Sequence, residues 1–365
     1  MTGAEAIVIG GGIAGVSAAA QLAKHMSVIL LEAEKQFGYH STGRSAAIFI
    51  RNYGNATLRQ LNAASASFFE TPDEIGETSL LTPRGEMLVA AEDELEHLAE
   101  YASGATGLEL LSPQQAVDLV PILRQDKINA AAIEWDAQDI DVDRMLAGFL
   151  RLFKTRGGRT ESGGRVTSIL QQDGTWSVET ESGSYKAPIV VNAAGAWASH
   201  VGAMAEAADI DLTPMRRSAA ILPAPEGFNP ASWPLFASAS ERWYAKPTGG
   251  KLMVSPADED PVDAHDAWVD DMVLAEGLHR YEQMVTVPVT RVENAWAGLR
   301  TFAADRTPVV GFDPVAPGFF WLAGQGGYGV QTAPALAQLT ETLCTNDTSP
   351  FSAETMAALS PSRFF

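Results

Sequence analysis

Gly10-Gly11-Gly12-Ile13-Ala14-Gly15 has the G-x-G-x-x-G spacing that lets a backbone approach a pyrophosphate. The glycines permit a tight turn and close packing of a helix on a strand, and the amides that open the helix favour negative charge. Glu32 stands where a carboxylate accepts the hydroxyls of a ribose, which disfavours a 2′-phosphate and leaves NAD and FAD both open. A second cluster, Gly324-Gln325-Gly326-Gly327-Tyr328-Gly329, can support another electronegative group, such as the pyrimidine edge of a flavin. It can equally be a glycine-rich loop that closes a sheet. The six histidines are dispersed, and no H-x-E, C-x-x-C or G-x-S-x-G spacing points to a metal or a serine nucleophile. His265 reads as a solvated loop histidine, and Cys344, inside the last helical pattern, as a packed thiol.

The elements around these residues follow from the apolar pattern. Ala6-Ile7-Val8-Ile9 is a β-branched run, Ile13, Val16, Ala20 and Leu22 recur at helical spacing up to a break at His25, and residues 27–31 form a second apolar run ending at Glu32. Continuous apolar strands around a helix predict one βαβ unit of a covered parallel sheet. Leu58, Leu61, Ala64, Phe68 and Phe69 predict a helix, residues 85–90 a strand, and Asp143 an N-cap for a helix carrying Met145, Leu146, Phe149, Leu150 and Phe153. Residues 166–169 and 176–179 predict paired strands around the Asp173-Gly174 turn, and Ile189-Val190-Val191 and residues 319–322 predict buried strands. From Pro214 to Glu293 the texture changes to alternating strands (218–222, 243–246, 252–255), an acidic loop Asp258-Glu259-Asp260 and an acidic helix near Asp270. The final helix runs through Leu336, Leu339 and Leu343.

The chain has 365 residues, enough for two or three domains at about 150 residues each. Its 46% apolar content is ordinary for a globular protein, and its net charge of −20 disfavours general binding to nucleic acid or anionic membranes. The single cysteine cannot form an internal disulfide, which fits a reducing compartment. Three stretches without formal charge (6–23, 187–205 and 314–340) contain Gly or Pro, and Glu5 precedes the first, so neither a spanning helix nor a secretory signal is expected. The expectation is a soluble, cytoplasmic protein, at most peripheral to the inner membrane.

Taken in order, the fingerprint, Gly38-Tyr39-His40-Ser41-Thr42-Gly43-Arg44-Ser45-Ala46-Ala47, Val191-Asn192-Ala193-Ala194-Gly195-Ala196-Trp197, Trp296-Ala297-Gly298-Leu299-Arg300 and Gln325 to Gly329 resemble the D-amino acid oxidase family of flavoproteins over nearly the whole chain. The resemblance implies an α/β fold: a Rossmann-like FAD-binding domain plus an α+β substrate domain with a mixed, largely antiparallel sheet. It places the discontinuous FAD-binding domain at residues 1–82, 141–212 and 296–365, and the substrate-binding domain at 83–140 and 213–295.

It further implies non-covalent FAD, since no tether is recognisable. The pyrophosphate would lie on Gly10, Gly12, Ile13, Ala14 and Gly15, and the ribose on Glu32. Ser41, Thr42, Ser45, Ala46 and Ala47 would line the phosphates and isoalloxazine, with the Val166 backbone at the adenine. Gly298, Arg300, Gly326, Gly327, Tyr328, Gly329, Val330 and Gln331 would flank the flavin. The implied substrate clamp is Arg300 and Arg217 with Tyr53 and Tyr244, because a bidentate guanidinium fixes an α-amino acid by its carboxylate. On composition alone Arg216-Arg217 reads as an exposed strand pair and Tyr244 as a core aromatic. Glu86 corresponds to an acid that faces the cationic end of substrate in arginine-oxidising members. A salt bridge to Arg84 or Arg51 is its alternative reading. Ile48 and Ile50 stand where those members carry His and Thr, which makes the pocket drier. The implied reaction is oxidation of an α-amino acid, expected to be D, with hydride passing from Cα to flavin N5 and the imino acid hydrolysing to keto acid and ammonia. No side-chain base is assigned, and the electron acceptor (a quinone, another carrier or oxygen) is open. The alternatives are oxidation of an N-substituted glycine or a 2-hydroxy acid, or a FAD-binding protein without turnover.

Overall fold

The computed structural model describes residues 2–365 and is built on two large sheets. The first has six strands, in the order Arg159–Ser162, Val28–Glu32, Ala6–Ile9, Ile189–Asn192, Phe319–Ala323 and Val309–Phe312, all parallel except the last. Their continuous apolar character has a simple cause, because both faces are covered. Val8, Leu30, Val191 and Phe320 pack on one face with the helices Ile13–Leu22, Ala56–Glu70, Val142–Thr155 and Gly329–Thr345. Ile7, Ile9, Leu31, Val190 and Trp321 pack on the other, against Val166, Trp176, Val178 and Tyr185 of a four-stranded sheet. That sheet contains the expected hairpin, with Asp173 and Gly174 both at positive φ between the strands Val166–Gln172 and Thr175–Thr180.

The second sheet runs Asp260–Pro261, Leu212–Leu222, Lys251–Ser255, Tyr244–Thr248, Leu235–Ser238, Glu86–Ala90, Ala130–Glu134 and Leu108–Leu111, with Asn294–Ala303 also paired to Leu212–Leu222. Only Leu235–Ser238 and Glu86–Ala90 run parallel, so the sheet is mixed and largely antiparallel. Its core gathers Met87, Val89, Ile133, Phe236, Trp243 and Val254 under the Asp271–Met284 helix through Leu278 and Tyr281. Asn294–Ala303 pairs with the second sheet from Leu212↔Ala303 to Ile221↔Asn294, and the chain then crosses back to Val309–Phe312 in the first. The two sheets are thereby joined by one continuous stretch of chain.

Two local expectations change. The cap of the Val142–Thr155 helix is Asp141, whose carboxylate accepts the Arg144 N–H at 3.0 Å, and Asp143 lies in the first turn. Either acid suits a helix start, and the backbone bend two residues earlier decides between them. A short helix, Ala353–Leu359, follows the one that holds Cys344. Among the described residues no helix is long and apolar enough to cross a membrane.

Candidate active site

Backbone builds the larger of two adjoining cavities. It is lined by residues 9–14, Glu32, Gly38, Tyr39, His40, Ser41, Thr42, Val166, Trp197, Thr301, Gln325, Gly326 and Gly329 among others. Gly10 has φ +114°, and a Cβ there would lie 2.2 Å from the Ala193 carbonyl oxygen; a Cβ on Gly15 would lie 1.9 Å from the Gly10 oxygen. Neither position tolerates a side chain, and the absence of one is what lets the Ile13–Leu22 helix close on its strand. A Cβ on Gly12 would touch only Thr42 Oγ1, at 3.3 Å. The first-turn amides of that helix have no carbonyl one turn back, and the Ile13 N–H donates to Thr42 Oγ1 at 3.0 Å. Glu32 Oε2 accepts the Gly11 N–H at 2.6 Å and Oε1 the Glu34 N–H at 2.8 Å, which holds the carboxylate over the cleft. Burial raises its pKa, and those two amides work in the opposite sense.

The cavity fits FAD on two observations. It is a backbone-lined anion cradle with a carboxylate at the ribose end, and Thr301 Oγ1 in its wall is buried with no hydrogen-bond partner among the described residues. Gly15 stands behind the cleft as a packing residue, and Ala47, Tyr328 and Gln331 line neither cavity. Tyr328 packs against Tyr53, with ring centroids 4.7 Å apart and the rings tilted by 57°. Buried Gln331 accepts the Ile50 N–H at 3.1 Å and donates to Asn62 Oδ1 at 2.8 Å. Asn62 in turn donates to the carbonyls of Ile50, Arg51 and Tyr53. Gln331 and Asn62 therefore hold the turn that presents Tyr53.

The smaller cavity opens beside Gly326 and Gly327 and is lined by Ser41, Thr42, Ser45, Ala46, Arg217, Tyr244, Met253, Gly298, Arg300 and Val330 among others. Arg300 lies against Gly327, where a Cβ would come within 3.0 Å of its Nη1. Burial works against its charge, but Tyr53, Tyr244, Glu241 and Glu259 surround the guanidinium, and the net effect is a pKa above the usual arginine value. Among the described residues no carboxylate lies within 4 Å of it. Tyr53 is pushed well above the usual tyrosine range by burial, so its hydroxyl stays protonated and can donate. Arg217 is not on an exposed strand: it is 8% accessible, and its Nη2 donates to Glu259 at 2.8 Å. Arg216 is the outward partner, bound to Asp258 and Asp260.

Glu86 does not pair with either expected arginine. Arg84 binds Asp139 at 2.8 Å, and Arg51 reaches Glu70 at 3.2 Å. Glu86 instead stands opposite Glu134 in the strand register and accepts the Tyr101 hydroxyl at 3.1 Å. Burial, then the charge of Glu134, pushes the Glu86 carboxyl up to about 8. Glu134 also accepts Arg51 N at 2.8 Å and Asn52 Nδ2 at 2.6 Å, so the acid pair is tied to the same turn as Tyr53. Glu86 and Tyr53 line neither cavity. Tyr101, Glu134, Asn62 and Glu259 carry no local motif, and sequence patterning does not single them out. A pair of acids on facing strands becomes visible only once the register is known.

A glycine-lined nucleotide cleft at the switch of a six-stranded sheet, opening onto an arginine-bearing cavity of a second sheet, defines a two-sheet flavoprotein oxidoreductase. The sequence model of the FAD dependent oxidoreductase (DAO) family matches residues 5–343, and the chain belongs to that family. It is 25% identical over 389 aligned residues to mitochondrial dimethylglycine dehydrogenase of Homo sapiens, covering 99% of this chain and 44% of that protein, so it spans less than half of that relative's length. Its fold matches glycine oxidase from Geobacillus kaustophilus with a TM-score of 0.84 at 21% identity, covering 99% and 98% of the two chains. It also matches FAD-bound L-alpha-glycerophosphate oxidase from Mycoplasma pneumoniae with a TM-score of 0.83 at 18% identity, covering 94% and 95%.

Proposed function

We propose that the protein oxidises an α-amino acid of D configuration, and that its Arg300 guanidinium holds the substrate carboxylate. The observation that carries this reading is a buried arginine without a carboxylate partner, flanked by tyrosines at the mouth of a FAD cleft. A bidentate guanidinium fixes both position and plane of a carboxylate, which removes most of the orientational freedom of the substrate. FAD, when bound, supplies the two-electron acceptor for the Cα hydrogen. Tyr53 and Tyr244 donate hydrogen bonds and exclude water with their rings. A cationic substrate side chain that reached the buried Glu86–Glu134 pair would pair with the ionised acid, whereas Ile48 and Ile50 favour an apolar one. Gln331, Asn62 and Glu134 position the turn that carries Tyr53. Cys344, buried in a helix with its thiol pushed up to about 12, is not a tether for FAD.

A second reading, oxidation of an N-substituted glycine, is favoured by the similarity to dimethylglycine dehydrogenase. The same carboxylate clamp serves either substrate. Anaerobic addition of D- and L-amino acids, sarcosine and dimethylglycine to the yellow holoenzyme separates them. Bleaching of the flavin by a D-amino acid is the expected result. Bleaching by the methylated glycines alone selects the second reading, and an unchanged spectrum with every amine rejects both.

A further inference from the structure

Arg217 and Arg300 are neighbours by construction. In the antiparallel pair, Arg217 is opposite Gly298 and Met215 is opposite Arg300, so the two arginines stand diagonally on one face and both line the smaller cavity. Two buried guanidinium groups on one face repel, and each demands a counter-charge. Of the two, only Arg217 has a carboxylate within 4 Å among the described residues. Glu259, from the loop beyond Lys251–Ser255, accepts its Nη2 at 2.8 Å. Glu259 is itself clamped by Arg306, with Nη1 to Oε2 at 3.1 Å and Nη2 to Oε1 at 3.0 Å. The Arg306 guanidinium lies 4.0 Å over the Phe302 ring, and Phe302 packs where a Gly326 side chain would otherwise stand. Burial opposes the Glu259 charge, but the Arg306 hydrogen bonds and the charges of Arg217, Arg306 and Arg300 keep its carboxyl below the usual range. Glu259 is therefore an anchored, ionised carboxylate beside the substrate cavity that engages Arg217 through Nη2 alone, while the Arg217 Nε is buried without a partner among the described residues.

We propose that Glu259 determines substrate specificity: it occupies Arg217 as a built-in carboxylate, so the cavity offers one open guanidinium to one substrate carboxylate and rejects a second acidic group. This rests on the amino acid reading above for the identity of the substrate. Glu259 then serves both Arg217 and Arg306, and the substrate carboxylate is the counter-charge of Arg300. A substrate with an acidic side chain brings a carboxylate for which no free arginine is left, and Glu259 repels it at close range.

The test compares acids with their isosteric amides, D-glutamate with D-glutamine and D-aspartate with D-asparagine. The wild-type holoenzyme is expected to favour the amides in kcat/KM, and a wild-type preference for the acids overturns the proposal. Glu259→Gln keeps the shape and removes the charge. It should raise the acid-to-amide ratio of kcat/KM by about tenfold or more, through KM of the acids. Glu86 also disfavours acids, but it is unchanged in that variant, so the shift in ratio reports Glu259 alone. An unchanged ratio, or an equal loss on acid and amide, makes Glu259 a support for Arg217 and nothing more. Titration of the flavin spectrum with propionate and succinate repeats the comparison without turnover. If no amine reduces the wild-type flavin, the proposed substrate class falls, whereas a selective gain in succinate affinity in Glu259→Gln still upholds the role of Glu259 and its absence overturns it.

Discussion

The two cavities are built from different materials. The nucleotide cleft is made largely of backbone from contiguous stretches, with glycines whose missing side chains create the space. The substrate cavity is made of side chains brought from strands far apart in the chain, and the charge of its Arg217 is set by a partner, Glu259, from a separate loop. The first should therefore respond to added bulk and forgive changes of charge. The second should respond to changes of charge and forgive small changes of shape.

The largest effect is expected in the substrate cavity. Arg300→Met keeps the length and removes the guanidinium. Losing one partner of a buried charge pair costs about 2–5 kcal/mol, so kcat/KM should fall roughly thirtyfold or more with the FAD content unchanged. Steady-state kinetics with flavin quantitation checks this, and near-native efficiency would remove Arg300 from the clamp. The corresponding break of the cleft is Gly11→Ala. A Cβ there would lie 2.4 Å from the Phe37 ring and 2.7 Å from Glu32 Oε2, displacing the carboxylate from the Gly11 amide. FAD affinity should drop by about tenfold or more, read by ultrafiltration of released flavin, while Glu32→Gln should weaken it less.

A smaller effect sharpens the electrostatic side of the contrast. With its pKa near 8, Glu86 is mostly neutral at pH 6 and must ionise inside the fold at pH 9. The stability of the neutral form is complete below the ordinary carboxylate pKa and is lost as pH rises from there through about 8. Glu86→Gln cannot ionise, so its Tm relative to wild type should rise between pH 6 and pH 9, by about 2–4 °C for each kcal/mol recovered. A Tm difference independent of pH would mean that Glu86 does not titrate in that interval. Tyr101→Phe is the mildest of the set. It removes the hydroxyl that donates to Glu86 and is expected to change KM by no more than about fivefold, in line with about 1 kcal/mol for one hydrogen bond.

Much of the first region was legible before the structure. The strand, glycine turn, helix and strand from Ala6 to Glu32 are contiguous, so their periodicity and the position of Glu32 can be read directly. Family resemblance located Arg300, Arg217 and Tyr244 in one cavity, but not what surrounds them. Arg51 and Arg84 looked like counter-ions for Glu86 because they are near it in sequence or motif; each is spent on another acid. Likewise Asp258-Glu259-Asp260 reads from the sequence only as an acidic loop, whereas Glu259 reaches inward to Arg217 and Asp258 is buried on Ser218.

What the amino-acid sequence determined by itself is the cofactor cradle, the order of its elements and the chemical types available at the substrate end. A cradle of backbone needs only the right short run of residues, since main-chain amides are present whatever follows. Only the tertiary structure decided the charge state of the substrate cavity. Glu86 meets Glu134 through one strand register, and Arg217 stands diagonal to Arg300 through another, with Glu259 folding in from a loop of a third segment. A shift of one residue in either register would turn those side chains to the opposite face, and register is set by packing of the whole sheet rather than by the residues that use it.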